Sequence, residues 1–189
     1  MKKKIVFIGN SIVNGFPLKR SECFASKVRE ETGWEVINKG NNGETTSQIL
    51  TRFQNDVIAR FPNTVFILTG TNDFIFEEAS VEDAFKNLIN MANLAAGNGI
   101  KTVFMTPIPV DEVMASKLWM PEAGVDYFRV NTCLEELSEK IKSSGTKFID
   151  LNNLYRPCGK YIDGVHPTAE GHRYIAGIIS KYIKDNLMS

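Results

Sequence analysis

The chain has 189 residues, 43% of them hydrophobic and 23% charged, a balance that suits one domain with a full core and argues against disorder. Lysine plus arginine equal aspartate plus glutamate at 22 each, so no net charge draws the protein to nucleic acid or anionic lipid. Cys23, Cys133 and Cys158 are odd in number, far apart and without a CxxC pair, which argues against a disulfide framework or a thiolate metal site.

The basic start, "MKKK", is followed by only four apolar residues before Gly9, too few for the apolar core of a secretion signal. No run is long enough to span a bilayer. The expectation is a cytoplasmic protein without stable membrane insertion.

The first apolar run, "KIVFI" (4 to 8), reads as a buried strand stopped by Gly9. "SECFASKVREETG" (21 to 33) is helical and ends on glycine. A second strand is expected at about 34 to 38. "TSQILTRFQNDVIARF" (46 to 61) repeats apolar residues at Ile49, Leu50, Phe53, Val57 and Ile58, the stripe of an amphipathic helix. "TVFIL" (64 to 68) is the third strand, stopped by "TGTND". The next helix opens with Ser80 and Asp83 as a capping pair and ends at Gly97 or Gly99. "KTVFM" (101 to 105) is the fourth strand.

The stretch 106 to 124 is irregular, with a short helix expected around 111 to 118. Long loops in compact domains often carry function. Trp119 and Met120 are candidates to line a pocket there, or equally to pack the loop down. A helix follows over 125 to 145, with Phe128, Leu134, Leu137 and Ile141 on its apolar side. "TKFIDL" (146 to 151) is the fifth strand, and a helix from Thr168 closes the chain.

Strands and helices alternate, with glycine or proline at most exchanges. Several strands lack polar alternation, as strands covered on both faces do. The expected fold class is α/β: a three-layer α/β/α sandwich around a five-stranded parallel sheet, with residues 1–189 as one domain.

In an open parallel sheet, ligands bind beyond the carboxyl ends of the strands. Those ends here carry "GNS" with Ser11, "NKGNNGE" with Gly40, Asn41 and Asn42, "TGTND" with Asn72 and Asp73, and "DGVHP" with Asp163 and His166. A serine nucleophile needs a neutral imidazole to take its proton, and the imidazole needs a carboxylate to fix its tautomer. Backbone N–H groups at glycine turns and an asparagine amide can hold a developing oxyanion. The segments supply every one of these groups. His172, inside the last helix, reads as a surface or packing residue, and Asp73 as structural.

Taken together and in this order, these four segments resemble the SGNH, or GDSL-type, serine hydrolases. Ser11 in "IGNSI", Gly40 in "NKGNNGET", Asn72 in "TGTND", and Asp163 with His166 in "DGVHP" match the family's four blocks over nearly the whole chain. The resemblance implies a flavodoxin-like fold and a carboxylic ester hydrolase. Ser11 would be the nucleophile, His166 the general base and Asp163 its orienting acid, with the oxyanion held by Ser11 N–H, Gly40 N–H and the Asn72 amide. No cofactor or metal is implied. Asn41, Asn42, Trp119 and Met120 are candidate contacts to a small-molecule ester. Asn10 stands where the family usually has aspartate; it keeps the shape and an acceptor but loses the charge, so the hydrogen bonding near Ser11 is expected to be reorganised. No G-x-S-x-G elbow is present, so a standard α/β-hydrolase is unsupported.

Three readings stay open on the sequence. The substrate is a small acyl or lysophospholipid-like ester, or an O-acetylated carbohydrate handled by the same triad, or the domain is a non-catalytic module that binds a small molecule at the same sheet edge. An apolar trench around the 106 to 124 segment would favour acyl chains, and a shallow polar cleft would favour sugar. The oligomeric state leaves no mark in the sequence.

Overall fold

The computed structural model describes residues 3–156 and 158–188. Met1 and Lys2, the start of the basic run, lie outside the described residues. Five strands form the sheet: β1 (Lys4–Gly9), β2 (Glu35–Gly40), β3 (Thr64–Leu68), β4 (Lys101–Met105) and β5 (Lys147–Ile149). All neighbours are parallel, in the order β2-β1-β3-β4-β5. From β1 the chain goes first to one side and then to the other. The crevice beyond β1 and β3 is therefore the switch point where parallel sheets hold ligands.

The larger helices are the crossovers α2 (Phe24–Thr32), α3 (Thr46–Asp56), α5 (Val81–Gly97) and α7 (Tyr127–Ser143), and α9 (Ala169–Leu187), which follows the last strand. They divide by face. Val6, Ile8, Val65, Ile67 and Phe104 pack against Ile49 and Phe53 of α3, Leu88 and Met91 of α5, and Leu134 and Leu137 of α7. The alternate residues Ile5, Phe7, Phe66, Leu68, Val103 and Met105 pack against Phe24 and Val28 of α2 and Ile175, Ile179 and Ile183 of α9. This accounts for the unbroken Val/Ile/Phe runs: each residue of Ile5–Ile8 in β1 and Val65–Leu68 in β3 packs into the core on whichever face it points to. Burying one such side chain contributes about 1.5–3 kcal/mol, so the central strands anchor the loops at their ends. No helix among the described residues is long and apolar enough to cross a membrane.

Four short helices follow strands or fill the long loop: α1 (Ser11–Asn14), α4 (Thr71–Ile75), α6 (Glu112–Leu118) and α8 (Leu151–Tyr155). Only α6 is expected from the sequence. The helix expected over 46 to 61 stops at Asp56, and a separate 3₁₀ turn covers Ile58–Arg60. Val57 and Ile58 are both buried in the same core as α3, so the apolar pattern runs on past the real helix end. Phe128, expected on the inward side of its helix, is 71% exposed.

His172 is fully buried in α9, which decides for packing over a surface role. Its ring stacks on Phe24, and its Nδ1 accepts the Phe24 backbone N–H at 3.2 Å. Burial, with a smaller contribution from His166, pushes its pKa down to about 4. The unfolded chain therefore binds a proton that the folded chain refuses between the ordinary value of 6.5 and about 4. Stability is full above that window and is lost as pH falls through it, by about 3 kcal/mol at the bottom. Urea unfolding of His172→Gln should show a flatter profile over the same range.

Candidate active site

Ser11 is the first residue of α1, directly beyond β1. Asn10 caps this helix, its Oδ1 accepting the Ile12 N–H at 3.2 Å. The residue that departs from the family pattern thus orients the turn that presents Ser11, and a neutral amide oxygen suffices for that cap.

His166 reaches the same edge from the loop before α9. Ser11 Oγ and His166 Nε2 are 2.9 Å apart. On the other side of the ring, His166 Nδ1 lies 2.7 Å from Asp163 Oδ2. Asp163 Oδ1 accepts two backbone N–H groups, from Val165 at 3.0 Å and His166 at 2.8 Å. Burial alone would raise the Asp163 pKa, but the His166 ring and these N–H donors outweigh it and hold the carboxyl below its ordinary value. With an ionised acceptor on Nδ1, the ring's proton sits there, and Nε2 is free to accept from the serine hydroxyl.

The ring is walled by aromatics. Phe16 and Trp119 stand edge-on to His166, with centroids 5.1 Å and 4.6 Å away. Ser11 is 6% exposed and His166 1%, so the proton path between them is largely shielded from water. Trp119 is held in turn by Tyr127, whose hydroxyl donates to the Trp119 carbonyl at 2.5 Å. The Trp119 indole N–H is buried with no partner among the described residues. Met120 is 41% exposed beside it in sequence.

Gly164 joins the Asp163–His166 loop to α6. Its carbonyl accepts the Asp111 N–H at 2.8 Å. Its φ is +91°, and a Cβ there would lie 2.3 Å from the Ala115 backbone nitrogen. Gly164→Ala therefore combines a left-handed backbone with a clash against a helix backbone that cannot yield. We expect a loss of about 2 kcal/mol or more, a fall in Tm of about 5 °C, and a kcat lowered at least about tenfold because the Asp–His loop must move. Thermal melts and steady-state rates on one sample check both effects.

One of the expected oxyanion donors already has an acceptor within the protein. The Gly40 N–H donates to Asn38 Oδ1 at 2.9 Å and is not free. Gly40 serves a packing purpose instead: a Cβ there would lie 2.1 Å from the Asn14 nitrogen, so only glycine lets α1 lie against the end of β2. Gly43, three residues on, has an N–H with no protein acceptor among the described residues. Its loop is pinned on both sides, by Asn14 Nδ2 on Asn42 Oδ1 at 2.8 Å and by Asn72 Nδ2 on the Glu44 carbonyl at 2.9 Å. Asn72 is 6% exposed and keeps a second amide hydrogen after that bond.

Of Asn41 and Asn42, both expected near substrate, Asn41 Nδ2 donates within the loop to Glu44 Oε1 at 3.0 Å, whereas Asn42 uses its Oδ1 to accept from Asn14 of α1 and its Nδ2 has no protein acceptor among the described residues. Asp73 is structural, as expected: fully buried, it accepts the Thr46 N–H and hydroxyl at the start of α3. Sequence reasoning missed Gly43 and Phe16. The "NNG" turn signal could have pointed to Gly43. Nothing local could have found Phe16, whose contact lies 150 residues away in the chain.

Residues 7–174 match the GDSL-like lipase/acylhydrolase family. The chain belongs to this family. It is similar over 79% of its length to the acetylxylan esterase of Geobacillus stearothermophilus, at 27% identity and covering 72% of that protein. It is also 33% identical over 91 residues to the uncharacterized lipoprotein YqeF of Bacillus subtilis, a match spanning 46% of this chain and 37% of that protein. A GDSL-like lipase structure from Bacteroides thetaiotaomicron superimposes with a TM-score of 0.73 at 28% identity, covering 98% of this chain and 89% of that one. For a GDSL-like protein, the hydrogen-bonded Ser–His–Asp array supports a serine-hydrolase esterase mechanism, and the five-stranded parallel sheet supports the fold that the resemblance implies.

Proposed function

We propose that the protein hydrolyses small acyl esters through an acyl-enzyme, with Ser11 as nucleophile, His166 as general base and Asp163 holding the imidazole. The observation that carries the reading is the 2.9 Å contact of Ser11 Oγ with His166 Nε2. Ser11 attacks the ester carbonyl as its proton passes to Nε2. The oxyanion is held by the Ser11 and Gly43 N–H groups and the spare hydrogen of Asn72 Nδ2. The imidazolium returns the proton to the leaving alcohol, and Asp163 stays ionised throughout. His166 then takes a proton from water as the water oxygen attacks the acyl carbonyl, and the tetrahedral intermediate collapses by breaking the bond to Ser11 Oγ, which takes that proton back from His166 as the acid leaves. Phe16 and Trp119 close around His166 and favour a short acyl group, with the unpartnered Trp119 indole as a donor to a polar substrate atom.

A second reading, removal of O-acetyl groups from carbohydrate, uses the same residues. It is favoured by the likeness to an acetylxylan esterase. Rates on acetyl, butyryl and octanoyl esters and on an acetylated sugar separate the two. Preference for simple acetyl and butyryl esters fits the first reading. A kcat/KM at least about tenfold higher on the sugar acetate fits the second. A preference for octanoyl sinks the short-acyl element in both. A cytoplasmic location belongs to the same proposal and rests on three thiols that remain free.

A further inference from the structure

Arg52 projects from α3 to the underside of the catalytic edge. Its side chain is only 16% exposed. Nε and Nη2 both meet Glu44 Oε2 at 2.6 Å. Nη1 meets Asp56 Oδ2 at 2.8 Å, and Nη2 also donates to the Gly9 carbonyl at 3.1 Å. Asp56 is shared with Lys39 at 2.7 Å, so two cations and two anions balance in one half-buried cluster. Burial alone would raise the Asp56 pKa, but the hydrogen bonds and charges of Lys39 and Arg52 win and lower it.

Two of these partners belong to the reaction site. Gly9 ends β1, two residues before Ser11. Glu44 follows Gly43, its carbonyl holds the Asn72 amide at 2.9 Å, and its carboxylate holds Asn41. We infer that Arg52 is a positioning residue that locks the oxyanion loop to the nucleophile turn. It sets where the Gly43 and Asn72 donors stand relative to Ser11 without touching substrate. A guanidinium can do this because its fork presents several fixed N–H groups at once; an ammonium is a point charge and cannot span the same set. The inference rests on the proposed roles of Ser11, Gly43 and Asn72.

The test compares wild type with Arg52→Met, Arg52→Lys and Glu44→Gln on p-nitrophenyl acetate. Rates are counted per active site by fluorophosphonate titration, so that unfolded protein drops out. Affinity for phenylboronic acid is measured alongside, because its tetrahedral serine adduct draws on the oxyanion donors. Arg52→Met should lower kcat about 10- to 100-fold with KM changed less than about threefold, and weaken the boronate in step. Arg52→Lys should recover only part of the loss. If Arg52→Met folds too poorly to titrate, Arg52→Lys and Glu44→Gln carry the same readouts. Normal kcat per titrated site, or a kcat loss with unchanged boronate affinity, overturns the inference. Ser11→Ala in parallel keeps the cases apart: turnover surviving there defeats the triad reading itself, whereas an inactive Ser11→Ala beside a normal Arg52→Met defeats only the role of Arg52.

Discussion

Ser11→Ala should lower kcat on small esters by about four orders of magnitude or more, with a Tm within a few degrees of wild type. The stability expectation follows from what the hydroxyl touches. Among the described residues its one side-chain hydrogen bond is to His166 Nε2, and removing a single such bond costs about 1 kcal/mol. The sheet anchoring and the Asn10 cap of α1 are untouched. The activity expectation follows from the loss of the covalent route. What survives is slow attack by water assisted by His166 and the oxyanion donors, above the uncatalysed rate but far below the wild type. Rates with the ester panel, paired with thermal melts, show whether activity is lost without the fold.

The second large effect is at Asp163, and its size comes from a local constraint. Oδ1 is committed to two backbone N–H groups at 2.8 and 3.0 Å, while Oδ2 faces His166 Nδ1 at 2.7 Å. Asparagine at this position must keep its oxygen on the backbone donors, so its NH₂ turns to the imidazole. Two donors cannot face each other. The ring therefore gives up its Nδ1 proton, carries it on Nε2, and can no longer accept from Ser11. Asp163→Asn should lower kcat about 10⁴-fold near neutral pH with little change in KM. It should also lower stability at pH 7. The Asp163 pKa is depressed below 3.8 in the folded chain, so its ionised form adds stability that is full above that value and is lost as pH falls through the folded value. Urea midpoints of wild type and variant should therefore differ at pH 7 and converge in acid. A variant with normal kcat would remove Asp163 from the mechanism.

The strands were the most legible part of the sequence. β1, β3 and β4 fall within a residue of their apolar runs, because burial on two faces writes itself as continuous Val, Ile and Phe. The short helices α1, α4 and α8 were not legible. They have too few turns to show a period and are held by capping and distant partners, such as Asp73 on Thr46. The triad was readable because Asp163 and His166 sit on one tight loop, and the family pattern supplies Ser11. The choice between Gly40 and Gly43 was not readable. Both lie in "NKGNNG", and which N–H is free depends on the Asn38 side chain and on how closely α1 packs on β2. Trp119 was singled out by its place in the long 106 to 124 loop, whereas the contact of Phe16 with His166 joins distant segments, a fact of tertiary packing that leaves no local trace.

In the proposed mechanism the Ser11 hydroxyl forms the covalent bond to the acyl group. The most direct test of this step is to react the protein with a fluorophosphonate ester and locate the adduct by peptide mass spectrometry. One adduct per chain on the peptide containing Ser11, lost in Ser11→Ala and slowed in Asp163→Asn, is the expected result. An adduct on another residue that accounts for the loss of activity, or full inhibition with Ser11 unmodified, would contradict it.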